Sequence, residues 1–337
     1  MTNTSLILET HNLEGGDGDI AAGLVRVLAR LATQTRPLTS LTDVVVTHRG
    51  VAAAARASCD RLAGVPIRWL ELSDTATYYE AKNRGFDVAT GDIVVFADAD
   101  CWPDLDWLDA LLAPFRDPTV EVVAGRTTYR HDLLGTAAST IDFMYFSSNA
   151  GAGHTRNFYA NNVAFRREVF ATHRFGEHQM YRGHCVVLGF ELHAAGIPVV
   201  FAPAARTIHR FPDSARELLH LRLMRGRDTF EVSPQLVQSV LQDEPRVPRR
   251  LKVPRVPRLG PILPLAVLTG RLGFSVRALN HQDMPETRGI RRLATIGAIT
   301  ALTAIDALGA VAGGLRLLRG APAKTLSYHG DGDRLAA

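Results

Sequence analysis

The triplet Asp98-Ala99-Asp100 is where this sequence most clearly offers chemistry. Two carboxylates flank one small residue just where the apolar run 92–97 (DIVVFA) ends. Hard divalent cations take oxygen ligands, and Mg²⁺ typically accepts one or two carboxylates together with substrate phosphates. A diphosphate bridged to the protein through such a cation would hold a nucleotide-sugar at the strand end. The cation would also neutralise charge on a departing diphosphate. The competing reading is an acidic turn that caps the following helix.

The surrounding elements must bring that triplet to a binding edge. Short apolar runs at 5–9, 43–47, 67–70, 92–97 and 120–124 read as strands. Helical stretches near 19–33, 50–62, 77–89 and 104–115 separate them. Continuous apolar strands alternating with helices predict an α/β domain, its mostly parallel sheet covered on both faces. Ligands of such sheets sit at the carboxyl ends of the strands. The polar residues there are Glu9 and Thr10 after the first strand, Thr47 and His48 after the second, and Asp98 and Asp100 after the fourth. Glu9 is placed to accept from ribose hydroxyls, or else is a surface acid.

Composition limits the alternatives. The chain has 337 residues, 46% hydrophobic and 21% charged, which excludes a disordered chain. Its three cysteines, Cys59, Cys101 and Cys185, are far apart and form no disulfide framework or CxxC knuckle, as expected in a reducing compartment. Residues 1–20 show neither a positive n-region nor a long apolar run, so no signal peptide is expected there. The stretch 142–162 (DFMYFSSNAGAGHTRNFYANN) mixes aromatics with Gly, Ser and Asn. Asn161 and Asn162 are read as sugar-binding amides, and Phe143 and Phe146 as core.

From Tyr79 to Trp107 the sequence is YEAKNRGFDVATGDIVVFADADCWPDLDW. It resembles the family 2 glycosyltransferases of GT-A fold, whose pattern is A-R-N-x-G on a helix, then A-x-G-D, an apolar strand, and D-x-D. Ala81-Lys82-Asn83-Arg84-Gly85 matches with Lys for Arg, and Ala89-Thr90-Gly91-Asp92 supplies the second element. Residues 161–170 (NNVAFRREVF) resemble the family's acceptor-side strand and helix, and 194–209 its ending. The resemblance covers about residues 5–230. It implies a nucleotide-sugar donor and a divalent cofactor, Mg²⁺ or Mn²⁺. It also implies Asp100 and His209 as metal ligands, Asp98 at the ribose, Lys82 near the diphosphate, and Glu9 or Thr10 at the base or ribose.

Two departures stand out. Family members usually carry an aspartate after the second strand to read the base, and here Thr47 and His48 stand there. Inverting members place an acidic pair as general base where this chain has Gly183-His184-Cys185. A base must reach the acceptor hydroxyl on the face opposite the leaving group. His184 is the candidate, with Glu177 and Glu191 as nearby carboxylate alternatives.

Residues 245–258 (PRVPRRLKVPRVPR) hold five arginines, one lysine and four prolines without an acid. Proline at this density forbids a regular helix, and the cations attract phosphate. Apolar runs follow at 261–279 and 293–315, the second with Asp306 as its one charge. The expected organisation is a GT-A domain (1–240), a basic connector (241–260), an apolar helical hairpin at a membrane (261–320) and a tail (321–337). That places the protein at the cytoplasmic face of a membrane, with an acceptor that is a lipid, a lipid-linked sugar, a glycan or a small molecule. Nucleic acid is not expected, because the basic cluster lacks interleaved aromatics. Two rival functions are a degenerate transferase fold acting as a membrane scaffold and a nucleotidyltransferase. The latter is disfavoured by the acidic turn at residues 14–19 (EGGDGD).

Overall fold

The computed structural model describes residues 3–13, 17–146, 148, 150–177, 183–243, 262–280 and 287–318. Alternating apolar runs and helices give β1 (Thr4–Glu9), α1 (Asp17–Ala32), β2 (Asp43–His48), α2 (Ala53–Ala63), β3 (Ile67–Glu71), α3 (Tyr78–Val88) and β4 (Ile93–Asp98). Then come β5 (Cys101–Pro103), α4 (Trp107–Leu112), β6 (Val122–Thr128), α5 (Leu133–Asp142), β7 (His154–Thr155) and β8 (Asn162–Arg166). The chain continues with α6 (Arg167–Thr172), α7 (His184–Ala194) and β9 (Val199–His209). Three helices follow: α8 (Ala215–Asp243), α9 (Ile262–Ala278) and α10 (Gly289–Leu318).

The sheet runs β3-β2-β1-β4-β8-β6-β9-β5, with β7 on β9. Strands β1 to β4 are parallel, β8 is antiparallel to both its neighbours, and β6 and β9 are again parallel. The mostly parallel α/β architecture anticipated above is therefore present, with β8, β5 and β7 as its antiparallel members. Successive residues of β1 feed opposite cores: Leu6 and Leu8 pack with the α1 leucines, and Ile7 packs with Phe86, Phe96 and Phe170. Burial on both faces explains why the strand reads as an unbroken apolar run. Gly91 precedes β4 where space is tight. Its N–H donates to Ser5 Oγ at 2.7 Å, and a Cβ there would lie 2.5 Å from Ser5 N.

A third layer covers the far side of α5. Tyr129, Ile141, Phe143 and Phe211 pack there against Ile299 and Leu302 of α10 and Leu279 beyond α9. Glycines let α8 and α10 approach backbone to backbone, since a Cβ at Gly226 would overlap Asp306 and one at Gly309 would overlap Leu223. Arg222, on α8, is fully buried and bridges Asp142 of α5 (2.8 Å) to Asp306 of α10 (2.7 Å). The apolar runs 261–279 and 293–315 are thus helices packed on the α/β domain. Of the connector read at 241–260, residues 241–243 continue α8, and the rest, with the tail at 321–337, lies outside the described residues. Among the described residues one helix segment, Gly289–Leu315, is long and apolar enough to cross a membrane, with 39% of its most apolar window buried in the fold.

Candidate active site at the carboxyl ends of the strands

Strand register builds the site. Glu9 lies beside Thr47 on one side and Asp98 on the other, so three adjacent parallel strands end in polar side chains. Just past β4 the chain turns back into β5, which pairs antiparallel with β9, setting Cys101 opposite His209. That pairing joins residues more than a hundred positions apart and brings the His209 ring to Asp100, with Nε2 3.7 Å from Oδ2. Asp98, Asp100, Cys101 and His209 present ligand atoms within 4.8 Å of one another.

The donor set suits a hard divalent cation. His209 Nδ1 lies 2.8 Å from the Arg210 carbonyl, which can only accept, so Nδ1 carries a proton and Nε2 is the ring nitrogen turned toward Asp100. Histidine ligands commonly fix their tautomer in this way. The gap from Nε2 to the carboxylate is longer than a hydrogen bond. Burial raises the Cys101 thiol well above its ordinary range, and the charges of Asp100 and Asp98 add to the rise. It therefore stays protonated and is a poor ligand for such an ion.

Asp98 is held differently. It accepts from Lys82 Nζ at 2.5 Å, Tyr78 Oη at 2.8 Å and Asn12 Nδ2 at 3.4 Å. Lys82 is fully buried under α3, with a second bond to the Ala97 carbonyl at 3.2 Å, so it is no solvated helix-face cation. Tyr78 and Asn12 escaped the reading of the sequence. Their only local signals are an aromatic at the first turn of the motif helix and an amide shortly after β1.

Around the ends of β1 and β2 several buried polar atoms have no partner: Glu9 Oε2, Asn12 Oδ1, Thr47 Oγ1 and His48 Nε2. Buried polar groups are normally paired, so this cluster fits a polar ligand. Burial raises the Glu9 carboxyl above its ordinary value; His11 opposes the rise and Asp98 adds to it. His48 accepts from the Val51 N–H through Nδ1, and burial lowers its pKa, so its neutral ring presents Nε2–H as a donor where an aspartate was expected. Thr10 is spent within the fold, its hydroxyl donating to the Thr47 carbonyl at 3.0 Å.

The acceptor-side residues separate. His184 opens α7, buried, with its ring stacked on Tyr79 at 4.1 Å between centroids. Tyr79 in turn packs edge-on against Tyr78, which donates to Asp98, so His184 is linked to the carboxylate pair through two aromatic rings. Glu177 and Glu191 are both exposed, the first beside residues 178–182, which lie outside the described residues, the second farther along α7. Asn162 accepts from Trp107 Nε1 at 2.8 Å and donates to the carbonyls of Arg126 and Ala205. Those bonds use three of its four, so Asn162 ties β8 to α4, β6 and β9 rather than turning to a sugar. Asn161 accepts from the Thr127 hydroxyl at 3.0 Å.

Comparison with known proteins agrees with this geometry. Residues 16–174 match the profile of glycosyl transferase family 2. The pre-mycofactocin glycosyltransferase of Mycobacterium tuberculosis (strain CDC 1551 / Oshkosh) is 35% identical over 99 residues, 29% of this chain and 20% of that protein. Glycosyltransferase AglE of Haloferax volcanii is 33% identical over 64 residues, 19% of this chain and 21% of its own length. The chain's match thus spans about a fifth of the curated relatives. Among solved structures, the mannosyltransferase PcManGT of Pyrobaculum calidifontis, in complex with GDP-Man and Mn²⁺, superposes with a TM-score of 0.57 at 17% identity, over 94% of this chain and 87% of that one. Residues 16–174 are thus similar to glycosyl transferase family 2, and the chain shares the fold of the solved mannosyltransferase.

Proposed function

We propose that the protein transfers a sugar from a nucleoside-diphosphate donor to an acceptor hydroxyl, with Mg²⁺ or Mn²⁺ at Asp100 and His209. The observation that carries this reading is the Asp100–His209 pairing at the strand ends of a domain similar to family 2. When bound, the cation supplies charge neutralisation for the departing diphosphate. Asp98, oriented by Lys82, Tyr78 and Asn12, holds the ribose side of the donor, and Glu9 with His48 faces the nucleoside. The family relatives named above support a nucleotide-sugar donor, and the Mn²⁺ complex of PcManGT supports the metal.

His184 is the proposed base, taking the proton of the acceptor hydroxyl. A group acting only in the transition state affects turnover more than binding. His184→Ala is therefore expected to keep donor affinity within about threefold while turnover falls by roughly a hundredfold. Transfer can be followed by release of nucleoside diphosphate from a panel of nucleotide-sugars. If Glu191→Gln is the crippling change and His184→Ala is not, the base lies elsewhere.

We further propose that residues 262–318 rest on a membrane surface at the cytoplasmic face. Ile290, Leu293, Leu308, Val311 and Leu315 are exposed on α10, and at 100° per residue they share an arc of roughly 60°. Asp306 lies on the opposite face, buried against Arg222. A helix with one face locked to the domain and the other apolar suits an interfacial position better than a spanning one. Flotation with anionic vesicles tests this. Binding released by Leu293→Glu with Leu308→Glu supports the reading, and full-length protein that never floats refutes it.

A further inference from the structure

A cavity of about 170 Å³ lies where α5 and the start of α7 meet α8 and α9. Phe143, Tyr159 and Val267 give it an apolar wall, and Gly183, the residue before His184, borders it. Phe143 also packs on the metal-site ring of His209, with centroids 5.9 Å apart. The cavity therefore adjoins both the residue proposed as base and the proposed metal ligand. A dry cavity of about 150 Å³ accepts benzene, so this one has room for a single ring or a short alkyl segment.

Four charged groups, Asp142, Arg225, Asp228 and Arg271, interrupt that wall. Arg271 of α9 lines the cavity, donating to Thr229 Oγ1 at 2.6 Å and the Ile141 carbonyl at 3.0 Å. A guanidinium has five N–H donors. Among the described residues no carboxylate ion-pairs with it, whereas neighbouring Arg222 and Arg225 both pair with Asp142. Asp228, also in the wall, has an interaction of its own. Burial works against the Arg271 charge and lowers its pKa. The charges of Asp306 and Asp142 offset only part of that burial cost, and the planar fork of arginine matches carboxylate or phosphate.

We propose that this cavity is the acceptor pocket and that it takes an organic anion, its small apolar body against Phe143 and Val267 and its carboxylate or phosphate on Arg271. The acceptor assignment rests on the transferase reading above; the anion site itself does not. Full-length protein is titrated by calorimetry with hexyl phosphate and with hexanoate, and with hexanol and inorganic phosphate as controls. One of the two anions is expected to bind saturably, the tighter one identifying the head group, with both controls at least about tenfold weaker. Arg271→Gln should weaken that binding by about tenfold or more. Val267→Trp, which keeps the arginine and fills the cavity, should block it. Mn²⁺-dependent binding of UDP or GDP, measured on the same variants, should be unchanged and reports that they fold. Absence of anion binding by the wild type, equal binding of hexanol, or unchanged binding by Arg271→Gln each overturns the proposal. Arg271-dependent anion binding without any nucleotide binding would instead sink the transferase reading and leave the anion pocket standing without its acceptor role.

Discussion

At the strand ends Asp100 faces Nε2 of His209 across 3.7 Å, whereas behind α5 the Arg222 guanidinium touches Asp142 and Asp306 at 2.8 and 2.7 Å. Both clusters are buried and both contain two carboxylates. In the helical layer both carboxylates are paired by the protein itself: Asp142 with Arg222 and Arg225, and Asp306 with Arg222. At the strand ends Lys82 neutralises Asp98, and among the described residues no Lys or Arg ion-pairs with Asp100. Taking charges out of water is costly unless they are paired. A saturated cluster therefore belongs to the fold, and one left short by a cation belongs to a ligand. The same test separates Asn162, with three hydrogen bonds to the protein, from Glu9, with a buried oxygen that has none.

The comparison can be broken by removing one carboxylate from each cluster. Asp100→Asn is expected to cut metal-dependent transfer by about a thousandfold, since metal charge stabilisation is worth several kcal/mol. Its thermal unfolding without metal should stay close to wild type. Asp306→Ala should do the reverse, costing about 3–5 kcal/mol of stability because it takes one of two buried counter-ions from Arg222. Chemical denaturation followed by circular dichroism measures this loss. An Asp306→Ala protein as stable as wild type would mean that the helical layer is not held by the ion network.

A subtler effect follows from the depressed titration of Asp142. Burial alone would raise its pKa, but Arg222 and Arg225 outweigh burial and hold it at about 2. An acid with a lowered folded-state pKa stabilises the fold above its unfolded value of about 3.9, and that contribution fades as pH falls toward the folded value. Wild type should therefore lose stability between about pH 4 and pH 2, and Asp142→Asn should flatten that limb while lowering stability at pH 7. The smallest effect is expected at Glu191, exposed on α7: Glu191→Gln should change stability by less than about 0.5 kcal/mol and turnover by less than about twofold.

What the sequence revealed, and what it hid, follows the same division. The buried strands β1, β2 and β4 were legible as apolar runs because both faces of the sheet are covered. Asp98, Asp100 and Lys82 were legible because one short motif carries them. His209 reaches Asp100 only through the pairing of β5 with β9, and residue types alone would not have singled it out. Asp306 appeared as a lone charge in an apolar run, because its partner Arg222 lies 84 positions away on another helix. Pairing across such separations leaves no local pattern, so the sequence did not show that α10 is tied to the domain through Asp306. Tyr78 and Asn12 were missed for the same reason, since their roles appear only once α3 and the β1 turn meet at Asp98.

The central claim is that Asp100 and His209 await a divalent cation that fixes a nucleotide at the strand ends. Calorimetric titration of UDP and GDP into the full-length protein, with and without Mn²⁺, tests it most directly. One nucleotide should bind saturably in the presence of Mn²⁺ and at least about tenfold more weakly without it, and Asp100→Asn should abolish that metal dependence while the protein stays folded. Equal nucleotide affinity with and without Mn²⁺, or metal dependence that survives Asp100→Asn, would contradict the account.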